Sequence, residues 1–191
     1  MTARPASTIA TEIDRATDGA TDGAIDGAID GGLLWDTVRK FPTGIAVVTA
    51  GRGDRARGAT VSTFTFVSRQ PPLVSVCLAA GSTMLDVLGR SGTFAVNLLS
   101  SHQAGLARLF ASRGRGAGQF DGVPCTAGQR DRVPLLIGAV GWLGCGFERA
   151  IRLGDHVLVL GRVVEAVAGD ADPLLYFSGR FYAGVDKELR V

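Results

Sequence analysis

The sequence is poor in the residues that build metal sites and disulfide frameworks. It contains 3 cysteines and 2 histidines among 191 residues, and Cys77, Cys125 and Cys145 stand far apart without a Cys-x-x-Cys pair. Zinc sites need clustered Cys and His ligands, and disulfide-rich secreted domains need paired cysteines. We therefore expect no metal site and a reduced cytoplasmic protein. Cys77 and Cys145 lie inside apolar runs and are predicted to be small core residues.

Long apolar runs are also missing. No stretch reaches the roughly 18 apolar residues of a membrane-spanning helix, and the N-terminus has no basic region followed by an apolar one. These absences predict neither membrane insertion nor export.

The motifs of several catalytic machineries are absent. There is no Gly-x-x-x-x-Gly-Lys-Ser/Thr loop for a P-loop ATPase, no Gly-x-Ser-x-Gly elbow for a hydrolase and no carboxylate pair in a context suited to a glycosidase. GRGAGQ at 114–119 imitates a dinucleotide fingerprint, but its spacing is wrong and it follows a predicted helix instead of a strand. Chemistry that depends on protein side chains alone is therefore disfavoured.

The charge of the chain is unevenly distributed. The formal total is +2, but residues 1–31 are rich in Asp and Glu, so the remainder is more basic than this total. A basic body suits an anionic ligand. Nucleic acid is a weaker candidate because the arginines are scattered and no nucleic-acid module is recognisable.

Residues 16–31 consist of the tetrapeptides ATDG, ATDG, AIDG and AIDG in succession. Such a repeat has too little apolar content to form a packed core, and its carboxylates lack the spacing of a calcium loop. We predict a disordered acidic tail over 1–32, followed by one folded domain over 33–191.

The remaining pattern is dominated by strands. A helix is predicted over 33–41 and ends before Pro42, and Ser82 and Ser101 are predicted to cap two more helices. Residues 112–134, rich in Gly, Arg and Pro, are predicted to form a mobile loop. Strands are predicted at 44–50, 59–67, 73–80, 93–99, 139–154, 155–169 and 174–184. Without a regular strand–helix alternation, they favour a mainly β, antiparallel barrel with short accessory helices over a doubly wound sheet.

The stretch GATVSTFTFVSRQPPLVSVCLAA, residues 58–80, is unusual for the hydroxyls it carries at Thr60, Ser62, Thr63, Thr65 and Ser68. A half-exposed strand explains Thr at some of these positions. Hydroxyls on both faces instead indicate a polar ligand. These hydroxyls and the backbone N–H groups of the strand edge, with a helix N-terminus at Ser101, would form a phosphate cradle. Other dispersed polar residues are Asn97, Gln103, His156 and Arg180; taken alone, His156 is more typical of a surface turn and Arg180 of a solvated arginine.

Five segments in order resemble the flavin reductase-like domain of the reductase components that serve two-component flavin monooxygenases. They are FPTGIAVVTA, GATVSTFTFVSRQPPLVSVCL, FAVNLLSSHQAGLARLFA, LGDHVLVLGRV and PLLYFSGRFYAG, and the resemblance runs from about residue 35 to residue 184. It implies the FMN-binding split β-barrel and an NAD(P)H:flavin oxidoreductase that uses FMN or FAD and NADH or NADPH. The common serine pair of the family is Ser62–Thr63 here.

The resemblance also implies site residues. Those implied for the flavin are Pro42, Thr43, Gly44, Thr60, Val61, Ser62, Thr63, Phe64, Thr65, Ser82, Asn97, Leu98, Ser101 and Gln103. Those implied for the nicotinamide nucleotide are His156, Tyr176, Phe177, Ser178, Gly179 and Arg180. No side chain is expected to act as a nucleophile, because the flavin carries the reaction. Arg113 and Arg115 are candidate phosphate ligands or solvated loop residues.

The same resemblance implies a homodimer that hands reduced flavin by diffusion to a separate monooxygenase. Two alternatives remain at this point: an oxidoreductase of the same barrel that keeps its flavin, like pyridoxine-phosphate oxidase, and a non-catalytic flavin-binding module. No nucleic-acid or membrane partner is expected.

Overall fold

The structure, a computed structural model, describes residues 6–18, 29–112, 118–128 and 132–184. Four α-helices lie in these ranges: α1 (Ala6–Asp18), α2 (Gly31–Val38), α3 (Thr83–Ser91) and α4 (Ala104–Ala111). Short 3-10 turns occupy Gly53–Arg55 and Ser101–Gln103. Within the described ranges no helix has both the length and the apolar character needed to cross a membrane.

Twelve strands form three antiparallel sheets in the described part of the chain. The main sheet has seven strands in the order β3-β2-β6-β9-β10-β5-β4, a small sheet has the order β1-β11-β12, and β7 pairs with β8. The strands are β1 (Thr43–Gly44), β2 (Ala46–Ala50), β3 (Arg57–Val61), β4 (Thr65–Arg69), β5 (Pro72–Ala79), β6 (Thr93–Leu98), β7 (Cys125–Ala127), β8 (Pro134–Leu136), β9 (Gly141–Leu153), β10 (His156–Ala168), β11 (Leu174–Phe177) and β12 (Arg180–Ala183). The predicted antiparallel barrel with short helices is confirmed.

The two edge strands of the main sheet follow each other in the sequence. β3 ends at Val61 and β4 begins at Thr65, so only residues 62–64 connect the two edges. The sheet must curl until its edges approach, which closes the barrel along a seam. The prediction of one strand over 59–67 was wrong because this stretch belongs to both edges and breaks between them.

Valines supply much of the barrel core. Val48, Val76, Val96, Val157 and Val159 have no exposed surface and belong to one cluster of buried side chains. These β-branched residues suit a pleated surface that is covered on the inner face. α3 contributes Met84, Leu85 and Leu88 to the same cluster, so it closes one end of the core.

A glycine allows the closest packing inside the barrel. A Cβ atom at Gly161 would lie 2.4 Å from Cζ of Phe94 and 3.0 Å from Cβ of Cys145. The register between β9 and β10 shifts beside it, between Leu160 and Gly161. The bulge and the missing side chain together leave room for the Phe94 ring.

Residues 6–18 differ from the disordered tail that the sequence predicts. They form α1, in which Ile9 and Ile13 are each 2% exposed and lie on one helical face, against the main core cluster. A Cβ at Gly89 of α3 would lie 3.2 Å from Cα of Ala10, so the two helices approach closely. The Glu12 carboxylate accepts a hydrogen bond from the Ala150 N–H at 3.0 Å. Burial of two isoleucines stabilises this segment even though the repeat beside it is polar.

Other predictions have mixed outcomes. Ser82 caps α3 as predicted, and α2 begins at Gly31, two residues before the predicted start, with Asp30 as its N-cap. The predicted loop over 112–134 contains β7 and ends at β8, while Arg113 and Arg115 lie outside the described residues. Most of the acidic repeat, at 19–28, also lies outside them. The boundary between tail and domain therefore stays a prediction.

The Gly161→Ala variant is expected to lose about 1–3 kcal/mol of unfolding free energy, because its methyl group overlaps the Phe94 ring. Gly146→Ala on the neighbouring strand is the matched control, since a Cβ there meets no atom within 4 Å. Urea unfolding measures both variants. Equal unfolding free energies of the two variants would contradict this prediction, because they would show that the side chains around Gly161 rearrange without a measurable loss of stability.

Candidate functional site

A polar cleft of about 660 Å³ lies at the seam of the barrel. Its walls are β3, the end of β5, the start of α3 and the first residue of β10. Six residues expected at the flavin or nucleotide site line it: Thr60, Val61, Ser62, Thr63, Ser82 and His156. The short crossing at 62–64 thus brings together residues that are distant in the sequence.

Thr63 joins the crossing segment to β5. Its Oγ1 accepts a hydrogen bond from the Cys77 N–H at 2.9 Å and donates one to the Cys77 carbonyl at 3.2 Å. The β4–β5 ladder ends at the pair Thr65 and Ser75, so the Thr63 side chain takes the position of the next ladder pair. It satisfies backbone groups that the missing pair would leave open.

The other hydroxyls of the run divide into two groups. The Thr60 hydroxyl donates to the Ala107 carbonyl at 2.7 Å and ties β3 to α4. Ser62 is exposed in the cleft, and its hydroxyl has no partner among the described residues. Thr60 and Thr63 therefore support the wall, and Ser62 is the hydroxyl available to a ligand.

The N-terminus of α3 opens onto the same cleft. The Ser82 hydroxyl accepts a hydrogen bond from the Met84 N–H at 3.3 Å, and Gly81, Ser82 and Thr83 line the cleft. The first N–H groups of a helix lack partners within the helix and carry partial positive charge. This end of the cleft is suited to an anionic group such as a phosphate.

His156 and Asp155 form an exposed pair at the mouth of the cleft. The His156 Nδ1 lies 2.8 Å from Oδ1 of Asp155. This hydrogen bond, followed by the charge of His156, lowers the pKa of the Asp155 carboxyl below its usual value. Asp155 therefore stays ionised at neutral pH and orients the imidazole, which leaves Nε2 for a ligand.

In the small sheet, strand β1, which was predicted to contact the flavin, pairs with strand β11, which was predicted to contact the nicotinamide nucleotide. Thr43 pairs with Tyr176 and Gly44 with Leu175, and the β11–β12 hairpin turns at Ser178 and Gly179. The Thr43 hydroxyl is buried without a partner among the described residues. The cleft lining includes none of the predicted site residues that lie in or beside this sheet. These residues are Pro42, Thr43, Gly44, Tyr176, Phe177, Ser178, Gly179 and Arg180.

Asn97 and Gln103, which were predicted to contact the cofactor, have side chains engaged in hydrogen bonds within the protein. Asn97 is fully buried; its amide nitrogen donates to the Val47 carbonyl and Thr49 hydroxyl, and its oxygen accepts from the Leu136 N–H. The Gln103 side-chain oxygen accepts a hydrogen bond from the Ser100 N–H, and its nitrogen donates one to the Ile137 carbonyl. These side chains have their hydrogen-bonding capacity used within the protein.

Four other predicted flavin residues also lie away from the cleft lining. The N-cap of the 3-10 turn is Ser100, so the prediction that Ser101 caps a helix was wrong. Leu98 is half-buried against the core, and Phe64 packs there from the crossing segment. Thr65 is exposed on β4.

The sequence did not indicate two supports of the cleft. The Gln119 side chain accepts a hydrogen bond from the Gly58 N–H at 3.0 Å and donates to the Gly58 carbonyl at 3.1 Å. A Cβ at Gly58 would lie 2.5 Å from the Phe110 ring, which also lines the cleft. A glutamine in a glycine-rich segment carries no signal of this pairing, because the contact forms only across the folded edge.

Cys77 is a wall residue of the cleft and not a core residue as predicted, because it is only half-buried. Burial raises the pKa of its thiol, so the side chain stays neutral beside the ligand space. Cys145 is buried, as predicted, and burial raises the pKa of its thiol to about 12.

A barrel closed at a seam, with a polar cleft and a helix N-terminus at that seam, is a split β-barrel suited to a phosphate-bearing ligand. The chain belongs to the flavin reductase-like domain family, whose profile matches residues 38–184. The predicted family is thereby confirmed.

Relatives with assigned activities support the same family. The NADH-dependent FAD reductase of Streptomyces globisporus is 42% identical over 144 residues, which span 74% of this chain and 79% of the relative. The crystal structure of BorF, the flavin reductase component of a bacterial two-component tryptophan halogenase, matches with a TM-score of 0.76 at 37% identity and covers 83% of this chain and all of that one.

A third match bears on the ligands of the family. The Streptomyces globisporus C-1027 NADH:FAD oxidoreductase SgcE6, solved in complex with NAD and FAD fragments, matches with a TM-score of 0.76 at 35% identity. The match covers 84% of this chain and 98% of that chain.

Paired variants should separate support from binding. Thr63→Val is expected to lower the unfolding free energy by about 1–2 kcal/mol, because two backbone groups of Cys77 lose their partner. Ser62→Ala should leave stability within about 0.5 kcal/mol of the parent and weaken flavin binding severalfold. Urea unfolding and flavin fluorescence titration measure the two effects. An unstable Ser62→Ala variant with unchanged flavin affinity would reverse these assignments.

Proposed function

We propose that this enzyme transfers a hydride from NADH or NADPH to FMN or FAD and releases the reduced flavin. The observation that carries the proposal is the seam cleft, which combines the unpartnered Ser62 hydroxyl, the N-terminus of α3 and His156 in a chain of the flavin reductase-like family. The relatives with assigned activities use the same classes of substrate.

The flavin occupies the cleft along β3 in this proposal. Its phosphate lies at the N-terminus of α3, where the partial positive charge of the helix favours an anion. Ser62 donates to or accepts from the ribityl chain or ring edge, while Thr60 and Thr63 hold the wall. The two ring systems exchange the hydride directly, so the protein supplies position and hydrogen bonds and no nucleophile.

His156 positions the nicotinamide nucleotide in this proposal. With Nδ1 bound to Asp155, its Nε2 is directed to the carboxamide or a phosphate of the nucleotide. The turn between β11 and β12 supplies Arg180 and the exposed Phe177 as further contacts. Because these residues bind and orient, their loss weakens nucleotide binding and leaves the flavin chemistry intact.

The reduced flavin reaches a separate flavin-dependent monooxygenase by diffusion through the cytoplasm. Support comes from the exposed cleft, whose residues Ser62, Thr63, Gly81 and His156 are accessible to solvent, so a flavin can enter and leave. BorF is likewise named as the reductase component of a two-component system.

The protein is proposed to be a homodimer. All residues of α2 are exposed although the helix is apolar, with Trp35 at 67% and Phe41, just beyond it, at 74%. Such a surface is typical of an interface. In a homodimer, the small sheet of one copy lies beside the cleft of the other. This arrangement accounts for the absence of the small sheet from the cleft lining within one chain.

Sedimentation velocity tests the dimer. The parent protein should sediment as a dimer at micromolar concentration, and the double variant Trp35→Glu/Phe41→Glu as a folded monomer, because two charges would enter the interface. Ile137→Glu, at an apolar side chain that is 58% exposed and lies far from α2 in the sequence, is the control and should remain dimeric. A monomeric parent would contradict the proposal.

Anaerobic oxidation of NADH and NADPH in the presence of excess free FMN or FAD tests the activity. Flavin bleaching should far exceed one equivalent per protein, because the flavin is a substrate that leaves after reduction. His156→Gln should raise KM for the nicotinamide nucleotide about tenfold and change KM for flavin little. Asp155→Asn is the companion variant, since it removes the carboxylate that holds the imidazole through Nδ1.

Other outcomes distinguish the alternatives. A single-equivalent bleach with tightly held flavin would favour an oxidoreductase with another acceptor. Binding of flavin without any NAD(P)H oxidation would favour a binding module. Unchanged nucleotide kinetics in His156→Gln would remove His156 from the nucleotide site while leaving the overall reaction in place.

A further inference from the structure

The hairpin of β11 and β12 has a two-residue turn, Ser178 and Gly179, because Phe177 and Arg180 are its last ladder pair. Both turn residues have positive φ, +47° at Ser178 and +81° at Gly179. Positive φ at both central residues is typical of the type I′ turn. Glycine adopts this conformation freely, whereas a serine there is less stable than in its ordinary conformations. The turn therefore needs support from outside the hairpin.

Arg39, the C-cap residue of α2, supplies this support. Its carbonyl accepts hydrogen bonds from the Ser178 N–H at 3.0 Å and from the Ser178 hydroxyl at 3.5 Å. Its Nη2 donates to the Ser178 carbonyl at 3.4 Å. The backbone and the side chain of Arg39 thus hold the same turn residue by its N–H and its carbonyl. We call these contacts between Arg39 and Ser178 the turn clamp.

Two neighbours keep the Arg39 guanidinium in place. Its Nη1 lies 3.3 Å from Oδ1 of Asp36, three residues earlier in α2. This ion pair is exposed, so it adds little to stability and its main effect is to orient the guanidinium. On the other side, a Cβ at Gly179 would lie only 3.1 Å from Nη2. The separate nitrogens of the guanidinium let it bridge the Asp36 carboxylate and the Ser178 carbonyl at once.

The strands of the hairpin are anchored separately from its turn. β11 pairs with β1 through Thr43 and Tyr176, and the rings of Tyr176 and Phe181 lie 5.5 Å apart. Arg108 of α4 lies over the Phe181 ring, 5.1 Å from its centroid. Removal of the Arg39 side chain would therefore leave the strands paired and loosen only the turn.

We propose that Arg39 is a positioning residue for the nicotinamide nucleotide, because the turn clamp fixes the turn between Phe177 and Arg180. The inference rests on the proposed function, which takes these two residues as nucleotide contacts. Arg39 touches neither cofactor and acts through Ser178. A turn that is already fixed loses less conformational entropy when the nucleotide binds. Loss of the clamp therefore weakens nucleotide binding and leaves hydride transfer between bound cofactors unchanged.

Arg39→Gln tests the positioning role, because it removes the guanidinium and keeps the backbone contacts of the residue. The Kd for NADH or NADPH, measured by titration calorimetry without flavin, should rise about fivefold, and so should KM for the nucleotide. The turnover number kcat and the Kd for flavin should stay within about twofold. Hydrogen exchange of the peptide that contains Ser178, measured by mass spectrometry, should become severalfold faster.

Two further variants complete the test. Arg39→Lys keeps a cationic donor and should recover part of the lost nucleotide affinity. Lys40→Gln is the matched control, since it removes the same charge from the next residue, whose exposed side chain has no contact in the described part of the chain. It should behave as the parent in affinity, kinetics and hydrogen exchange.

Several results would overturn the positioning role. They are an unchanged nucleotide Kd in Arg39→Gln, an equal loss of flavin and nucleotide affinity, or the same loss in Lys40→Gln. A raised nucleotide Kd with unchanged exchange at Ser178 would instead make Arg39 a direct ligand of the nucleotide. Calorimetry and hydrogen exchange need no turnover. If the parent reduces no flavin and Arg39→Gln still weakens nucleotide binding, the proposed reaction is rejected and the positioning role is kept.

Discussion

The fold depends on one topological constraint: three residues, 62–64, connect the two edges of a seven-stranded sheet. A flat sheet would hold these edges far apart, so the short link forces the strands to coil into a barrel. The closure is imperfect, because the crossing segment cannot form a regular ladder with β5. Thr63 completes the hydrogen bonding there with its side chain, and the remaining gap is the cleft.

The same constraint explains why residues that stabilise the fold and residues that face the ligand space are neighbours at this site. Residues that close the seam must satisfy backbone groups, and residues one position away face open space. Thr63 and Ser62 are neighbours in the sequence, yet the first is bonded to β5 and the second is free to meet a ligand. The hydroxyl run therefore has two explanations at once, a structural one for Thr60 and Thr63 and a binding one for Ser62.

Much of the fold could be predicted from local pattern. The valine-rich strands, the Ser82 cap of α3 and the antiparallel class follow from periodicity and capping chemistry, which are properties of short segments. The family could be predicted from five motifs in order. Ser62, Ser82 and His156, which the resemblance implies as site residues, line one cleft, and their contacts with ligands stay a prediction.

The failures concern contacts between distant segments. Asn97 carries the same polar signal as a ligand residue, and only its partners Val47, Thr49 and Leu136 show that it is structural. The Gln119 bridge to Gly58 joins elements far apart in the sequence. The helix α1 was missed because two isoleucines in a polar stretch become informative only when a groove on α3 is available to bury them.

The docking of α1 has a further consequence for local opening of the molecule. The helix precedes the family match at 38–184 and is held by Ile9, Ile13 and the Glu12 bond to β9, whereas the strands beneath it share continuous ladders. In the hierarchy of unfolding units, α1 therefore belongs at the low-energy end and the barrel at the high-energy end. Its amides are therefore expected to exchange with solvent through partial opening, and each such event would uncover Gly89 on α3, the helix whose first residues line the cleft.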